Sequence, residues 1–290
     1  MNAIDLKSIL NFSAFRPEPD DPSASWKKRF PAERTVFFGI GRAVLSWRAI
    51  GRSGKPGDLE SVRADPKEVL AQTGEHIKPL AERGWCAVSL NTRYVISLET
   101  NLSRRTGSED LLKSNARGVL GGRYERGKRY ALTHNPETNS SILLTFDEDQ
   151  TRKTEGLFTE AGFRVGRICC GAYVLLKHAL ALTNTTKGSE TPVSTFYIVC
   201  CEGAVCALVQ DQDRWLELRS RTDVYEEDLT PITDLLAPFH SRLSPNIGIT
   251  LVCDEPMDGL ADRLTKVFPN REVADLSEPA LLATLMNTIA

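Results

Sequence analysis

Apolar residues recur in the same order twice along the chain. Arg34 to Ile40, Ala43 to Ile50 and Leu59 to Val62 are short apolar or alternating runs that predict three strands. Asp65-Pro66 then opens a helix, and Trp85 to Leu90 is a solid apolar run of strand length. About 160 residues further on the order returns. Strands are predicted at Thr195 to Cys201, Ala204 to Val209 and Arg214 to Ser220, a helix from Thr230-Pro231 to Leu243, and a strand at Ile247 to Val252.

The stretch between the copies reads as an insertion followed by a βαβ-like run. Asp110 to Val119 predicts a short helix, and Arg129 to His134 with Ile142 to Phe146 a hairpin. Thr151 to Ala161 is a helix ended by Gly162, Phe163 to Ile168 a strand, and Gly171 to Leu182 an apolar helix. After the second copy, Pro256 to Phe268 places Met257, Leu260, Ala261, Leu264 and Phe268 on one helical face. A short strand, Glu272 to Leu276, and a helix opening at Ser277-Glu278-Pro279 follow.

These boundaries predict two lobes, residues 34–183 and 184–290, with an accessory subdomain around 97–145 and a Gly/Ser/Thr-rich hinge at Thr183 to Pro192. Residues 1–33 read as an arm, because Pro17, Pro19 and Pro22 interleave with Glu18, Asp20 and Asp21. Ahead of them Ile4, Leu6, Ile9 and Leu10 offer an apolar segment, which docks either on its own domain or on a partner.

At 290 residues and 41% apolar, the chain is long enough for two cores of ordinary size. A net charge of -2 removes any overall electrostatic pull toward nucleic acid or anionic lipid. Locally the charge is uneven. Residues 101–129 carry eight Lys/Arg against three Asp/Glu, and residues 222–290 carry twelve acids against four bases. Solvated faces explain both stretches, and a docking surface for a charged partner is the alternative. Seven cysteines, most inside apolar strands, and no secretory signal predict a reducing, cytoplasmic setting. No apolar run reaches the roughly 18 to 20 residues that span a bilayer.

Chemistry-bearing motifs fail one by one. Gly122 to Lys128 has the spacing of a phosphate loop, but Arg129 stands where Ser or Thr would hold magnesium, and a strand follows instead of a helix. Gly39-Ile40-Gly41 leads from strand to strand, so it is a hairpin turn and no dinucleotide fingerprint. Neither Cys-x-x-Cys nor His-x-x-x-His occurs, and His76, His134, His178 and His240 stand alone in sequence. The acids of Asp147-Glu148-Asp149 and Asp254-Glu255 precede helices and are read as caps.

The duplicated β-β-β-α-β plan resembles the actin-like superfamily of two-lobed ATPases, an α/β, ribonuclease H-like fold of mixed sheets flanked by helices. Within it the chain looks most like the pilus assembly PilM family and the cytoplasmic domain of type II secretion protein L (GspL). The likeness is carried by Phe37 to Val44 and by Ala161 to Ile168 with the helix through Ala172 and Leu176. Phe196 to Arg219, Leu251 to Asp254 and Met257 to Leu260 extend it. The resemblance implies a nucleotide cleft at Gly39, Gly41, Cys201, Gly203, Cys253 and Asp254. Active members carry Asp-x-Gly in both hairpins. Here Gly39 and Cys201 take the Asp positions, and Cys253-Asp254-Glu255 replaces the adenosine-contacting Gly-Gly.

The resemblance therefore implies a vestigial cleft without cofactor, in a scaffold of a type IV pilus or type II secretion-like platform. Its partner would be the tail of a bitopic inner-membrane protein, PilN-like, or the assembly ATPase, and the chain would sit peripherally at the inner membrane. Candidate partner contacts are Ile4, Leu6, Ile9 and Leu10 with Arg117, Arg123 and Arg126. The competing reading is an ATP- and magnesium-dependent ATPase or small-molecule kinase in which Glu202, Asp211 or Asp254 supplies the lost carboxylates. A nucleic-acid binder using Arg104, Arg105, Arg117, Arg123, Arg126, Lys128 and Arg129 is opposed by the net charge and by Tyr124 being the one aromatic in that run.

Overall fold

The computed structural model describes residues 35–285 apart from 42–43, 52–54, 91–93, 100–110, 113, 136–139, 186–193, 202, 213, 225–227, 244–246 and 279–280. The arm residues Ile4, Leu6, Ile9 and Leu10, together with Arg104, Arg105 and Glu202, lie outside the described residues.

Two five-stranded sheets share one plan. The first contains β1 (Val36–Gly41), β2 (Val44–Ala49), β3 (Glu60–Val62), β4 (Trp85–Leu90) and β8 (Arg164–Cys170), ordered β3-β2-β1-β4-β8. The second contains β9 (Thr195–Cys201), β10 (Gly203–Asp211), β11 (Arg214–Val224), β12 (Gly248–Cys253) and β13 (Val273–Asp275), ordered β11-β10-β9-β12-β13. In each, the first strand pairs antiparallel with the second and parallel with the fourth. Strands buried on both faces favour apolar runs, and β4 and β9 are buried throughout and apolar but for Ser89 and Thr195.

Pairing registers fix how the repeats correspond. Adding 160 to both numbers of the pair Val36 and Ala49 gives the pair Phe196 and Val209, and doing so for Gly41 and Val44 gives Cys201 and Ala204. The parallel pairs agree, since Val36 faces Cys86 as Phe196 faces Ile249.

Helix α1 (Pro66–Ile77) starts where expected, with Pro66 in its first turn and the Asp65 carboxylate accepting from the Lys67 amide at 2.8 Å. Ala116–Leu120 is α2, a single turn capped by Asn115. Helix α3 (Glu148–Glu160) begins three residues before the predicted start, because Asp147 is its cap and accepts from Gln150 at 2.9 Å. Its end is a Schellman motif. Gly162 sits at φ +85°, the Phe163 amide donates to Phe158 O and the Gly162 amide to Thr159 O, both at 2.9 Å, and the Phe158 and Phe163 rings meet. Phe38 of β1 packs against both rings, at centroid distances of 4.8 and 5.3 Å, which fixes α3 on the outer face of the first sheet.

Helix α4 (Gly171–Thr185) leaves β8 but lies mainly on β9, β10 and β12 of the second sheet. Helices α5 (Thr230–Leu236) and α6 (Leu260–Val267) cover the opposite face of that sheet in a separate apolar cluster with Phe196, Phe239 and Phe268. Both are shorter than the sequence pattern suggests. Pro238, which has no amide hydrogen, turns the end of α5 into a 3₁₀ turn at Ala237–Phe239, and the left-handed Gly259 sets the start of α6. Helix α7 (Leu281–Thr284) reaches back from the second repeat onto β1, β2 and α4.

The insertion forms a third sheet from β5 (Tyr94–Glu99), β6 (Lys128–His134) and β7 (Ser141–Asp147), ordered β5-β7-β6. Strand β5 is absent from the sequence reading, although Tyr94, Ile96 and Leu98 alternate with Val95, Ser97 and Glu99. One face of this sheet, with Ile96, Ile142, Leu144 and Phe146, joins the main core. Leu132 and Leu143 on the other face lie under Leu112 and Leu120. Among the described residues no helix is long and apolar enough to cross a membrane.

Phe158 is fully buried and anchors α3 to the first sheet. Phe158→Ala is expected to cost about 3–5 kcal/mol of folding free energy, measured by urea denaturation.

Candidate functional site

Of the cleft residues named from sequence, Gly41 ends β1, Cys201 ends β9 and Cys253 ends β12, all carboxyl ends of strands, and Gly203 opens β10. The ladder corrects one assignment. Both hairpins close with two residues between their last paired positions, Gly41 with Val44 and Cys201 with Ala204. Cys201-Glu202-Gly203 therefore corresponds to Gly41-Arg42-Ala43 and not to Gly39-Ile40-Gly41. Gly39 lies two residues back along β1, between Ser46 and Ser89. The positions matched by the ladder at the two strand ends are thus a glycine, Gly41, and a buried cysteine, Cys201. Gly203 supplies the left-handed backbone, φ +76°, that the second turn requires.

Cys253 and Cys200 are register partners on adjacent parallel strands, and the amide of Cys253 donates to Ser277 Oγ at 2.9 Å. Hydrogen bonding to Cys253, together with burial, pushes the Cys200 thiol well above its ordinary pKa. Burial alone raises Cys206 to about 12. Cys169 is raised to about 11 by burial, against the partial offset of Arg167 and Lys177. All seven cysteines are buried and none forms a disulfide, so they behave as small core residues.

Asp254 is committed elsewhere. Its carbonyl accepts from the Leu281 amide at 3.1 Å and its Oδ1 from the Leu282 amide at 2.8 Å, which makes it the cap of α7. Asp211 lies at the far end of β10 from Gly203, roughly 25 Å away at about 3.4 Å per residue, where it accepts from Ser194 Oγ. Neither carboxylate stands at the hairpin ends.

Sequence reasoning passed over Ser89. Its hydroxyl is fully buried and has no hydrogen-bond partner among the described residues. Register places Ser46, Gly39, Ser89 and Cys169 in one row across the first sheet, on the face opposite Phe38. A lone serine inside Trp85 to Leu90 was the available signal. Among the described residues no group of three or more His, Cys, Asp or Glu is arranged to hold a metal.

Among the described residues of the basic run, Arg123, Lys128 and Arg129 are paired with acids. Arg129 forks onto two carboxylates, reaching Glu155 at 2.5 and 2.9 Å and Glu148 at 3.2 Å through one Nη and through Nε besides. Lys128 pairs with Asp147 at 3.5 Å, and Arg123 pairs with the buried Glu99. Arg117 and Arg126 are exposed. The loop between them is held by Tyr130, whose hydroxyl accepts from the Glu125 amide at 2.8 Å and donates to Glu125 O at 3.1 Å.

No protein-family model matches the sequence, and no curated protein is significantly similar to it. Solved structures share its fold. A Bacteroides thetaiotaomicron protein with actin-like ATPase fold and unknown function aligns over 87% of this chain and 95% of its own, with 11% identity and a TM-score of 0.55. The PilM-PilN type IV pilus biogenesis complex contains a chain that aligns over 89% of this one and 99% of its own, with 12% identity and a TM-score of 0.65. The cytoplasmic domain of EpsL, an inner membrane component of the type II secretion system of Vibrio cholerae, is a weaker likeness, covering 88% and 93% at 11% identity with a TM-score of 0.48. The chain has the actin-like ATPase fold.

Asp254→Ala is expected to cost about 0.5–2 kcal/mol by freeing the start of α7, read by urea denaturation. A second expectation concerns acid. Glu148 is held below the usual carboxylate range, first by its bond from Arg129 and then by Arg152, with burial opposing. The stability this contributes is present at neutral pH and is lost as pH falls through the lowered value. Between about pH 5 and pH 3 the urea midpoint of the natural chain should fall more than that of Arg129→Gln, which lacks the charge that lowers Glu148.

Proposed function

We propose that this chain is a non-catalytic actin-like scaffold that holds the cytoplasmic tail of a bitopic membrane protein in an inner-membrane assembly platform of the pilus or type II secretion kind. The observation that carries the reading is the pair of ladder-matched hairpin ends, Gly41 and Cys201, which bring no carboxylate to the place where two would manage magnesium and water. Asp254 is spent on capping α7, and Asp211 lies at the other end of its strand. Among the described residues of the two hairpin ends no carboxylate is placed to hold magnesium, which supports the non-catalytic reading.

The fold likeness to a chain of the PilM-PilN complex supports a partner-holding role. A protein without a cleft chemistry still presents sheet edges and loops to an extended peptide. On this reading the chain is cytoplasmic and reaches the membrane through its partner.

Flotation with inverted inner-membrane vesicles from the source organism tests it. The purified chain should float saturably with untreated vesicles, and should remain unbound with vesicles stripped of exposed tails by protease or with protein-free liposomes of the same lipids. Equal flotation with all three, or none with any, contradicts the proposal.

A further inference from the structure

Strand β5 belongs to the insertion in the first repeat, yet it runs beside β11, the edge strand of the second sheet. The two strands make no backbone ladder and remain in separate sheets. One side chain stands in for it. The Ile96 amide donates to Ser220 Oγ at 2.9 Å, and the same hydroxyl donates to Ile96 O at 2.8 Å, across 124 residues of sequence. Ile96 pairs with Leu144 on its other side, so both of its outward backbone groups are satisfied by this one hydroxyl.

We infer that Ser220 is a latch on the seam between β5 of the inserted sheet and β11 of the second repeat, so that this seam can open locally without unzipping a strand ladder. A ladder would bind the edges through alternate residues along their length, and its loss would cost several backbone bonds together. The Ser220 bridge joins the strands through one hydroxyl that both accepts from and donates to the backbone of Ile96. Around it Ile96 is buried on the core face of β5, while Val95 on the opposite face, and Leu216 of β11, are exposed. Buried apolar area on Ile96 favours the closed form. Loss of the hydroxyl leaves the amide and carbonyl of a buried residue unpaired, which favours opening. Opening of the β5/β11 seam is independent of whether the chain is a scaffold.

Amide hydrogen exchange on the full chain tests it. In Ser220→Ala, peptides covering 94–99 and 214–224 should exchange about tenfold faster, while those covering 85–90 and 195–201 keep their rates. Ser220→Thr, which retains the hydroxyl, should behave like the natural chain. Unchanged exchange in Ser220→Ala, or acceleration spread equally over all four peptides, overturns the latch. The natural chain gives an independent reading: at urea concentrations below global unfolding, the 94–99 and 214–224 peptides should open together. Opening of these peptides only with global unfolding also overturns it.

Discussion

Each repeat gives its closing helix to the other repeat's sheet. Helix α4 leaves β8 and buries Leu175, Leu176 and Ala179 in a cluster with Tyr197, Val199 and Cys206, while α7 leaves the second sheet and puts Leu281 and Leu282 near β1 and β2. One apolar cluster consequently runs through both repeats. Neither sheet has its inner face covered by its own helices, so the repeats are stabilised jointly. The separate cluster around Phe196, Phe239 and Phe268 is what the second repeat keeps to itself.

That exchange also determines what the cleft contains. To place α7 on the first sheet its start must sit at the end of β12, and its unpaired amides need acceptors there. Asp254 supplies both, through its carbonyl and its carboxylate. Its Oδ1 is thereby taken up by the Leu282 amide. Gly41 and Cys201 stand at the matched hairpin ends, a glycine and a cysteine at corresponding places of the two repeats.

Much of the fold was legible because local signals and burial agree. Solid apolar runs located β4, β9 and β12, Asp65-Pro66 marked α1, and Gly162 ended α3 through its left-handed backbone. Strand β5 was passed over because its alternating run is short and follows directly on β4. Glycine spacing drew the first hairpin's motif onto Gly39-Ile40-Gly41, whereas only the ladder shows that the turn lies two residues later. The basic run read as a charged surface because the acids facing Arg129 are 19 and 26 residues away in sequence. The roles of Asp254 and Ser220 were illegible for the same reason, as their partners are 28 and 124 residues distant.

A scaffold of the proposed kind needs no magnesium-dependent nucleotide chemistry at the hairpin ends. Titration of the purified chain with a fluorescent ATP analogue, with and without magnesium and followed by a phosphate-release assay, tests it most directly. A non-catalytic scaffold should show no saturable binding at millimolar-scale nucleotide and no phosphate release above the protein-free rate. Saturable, magnesium-dependent binding with turnover would contradict it.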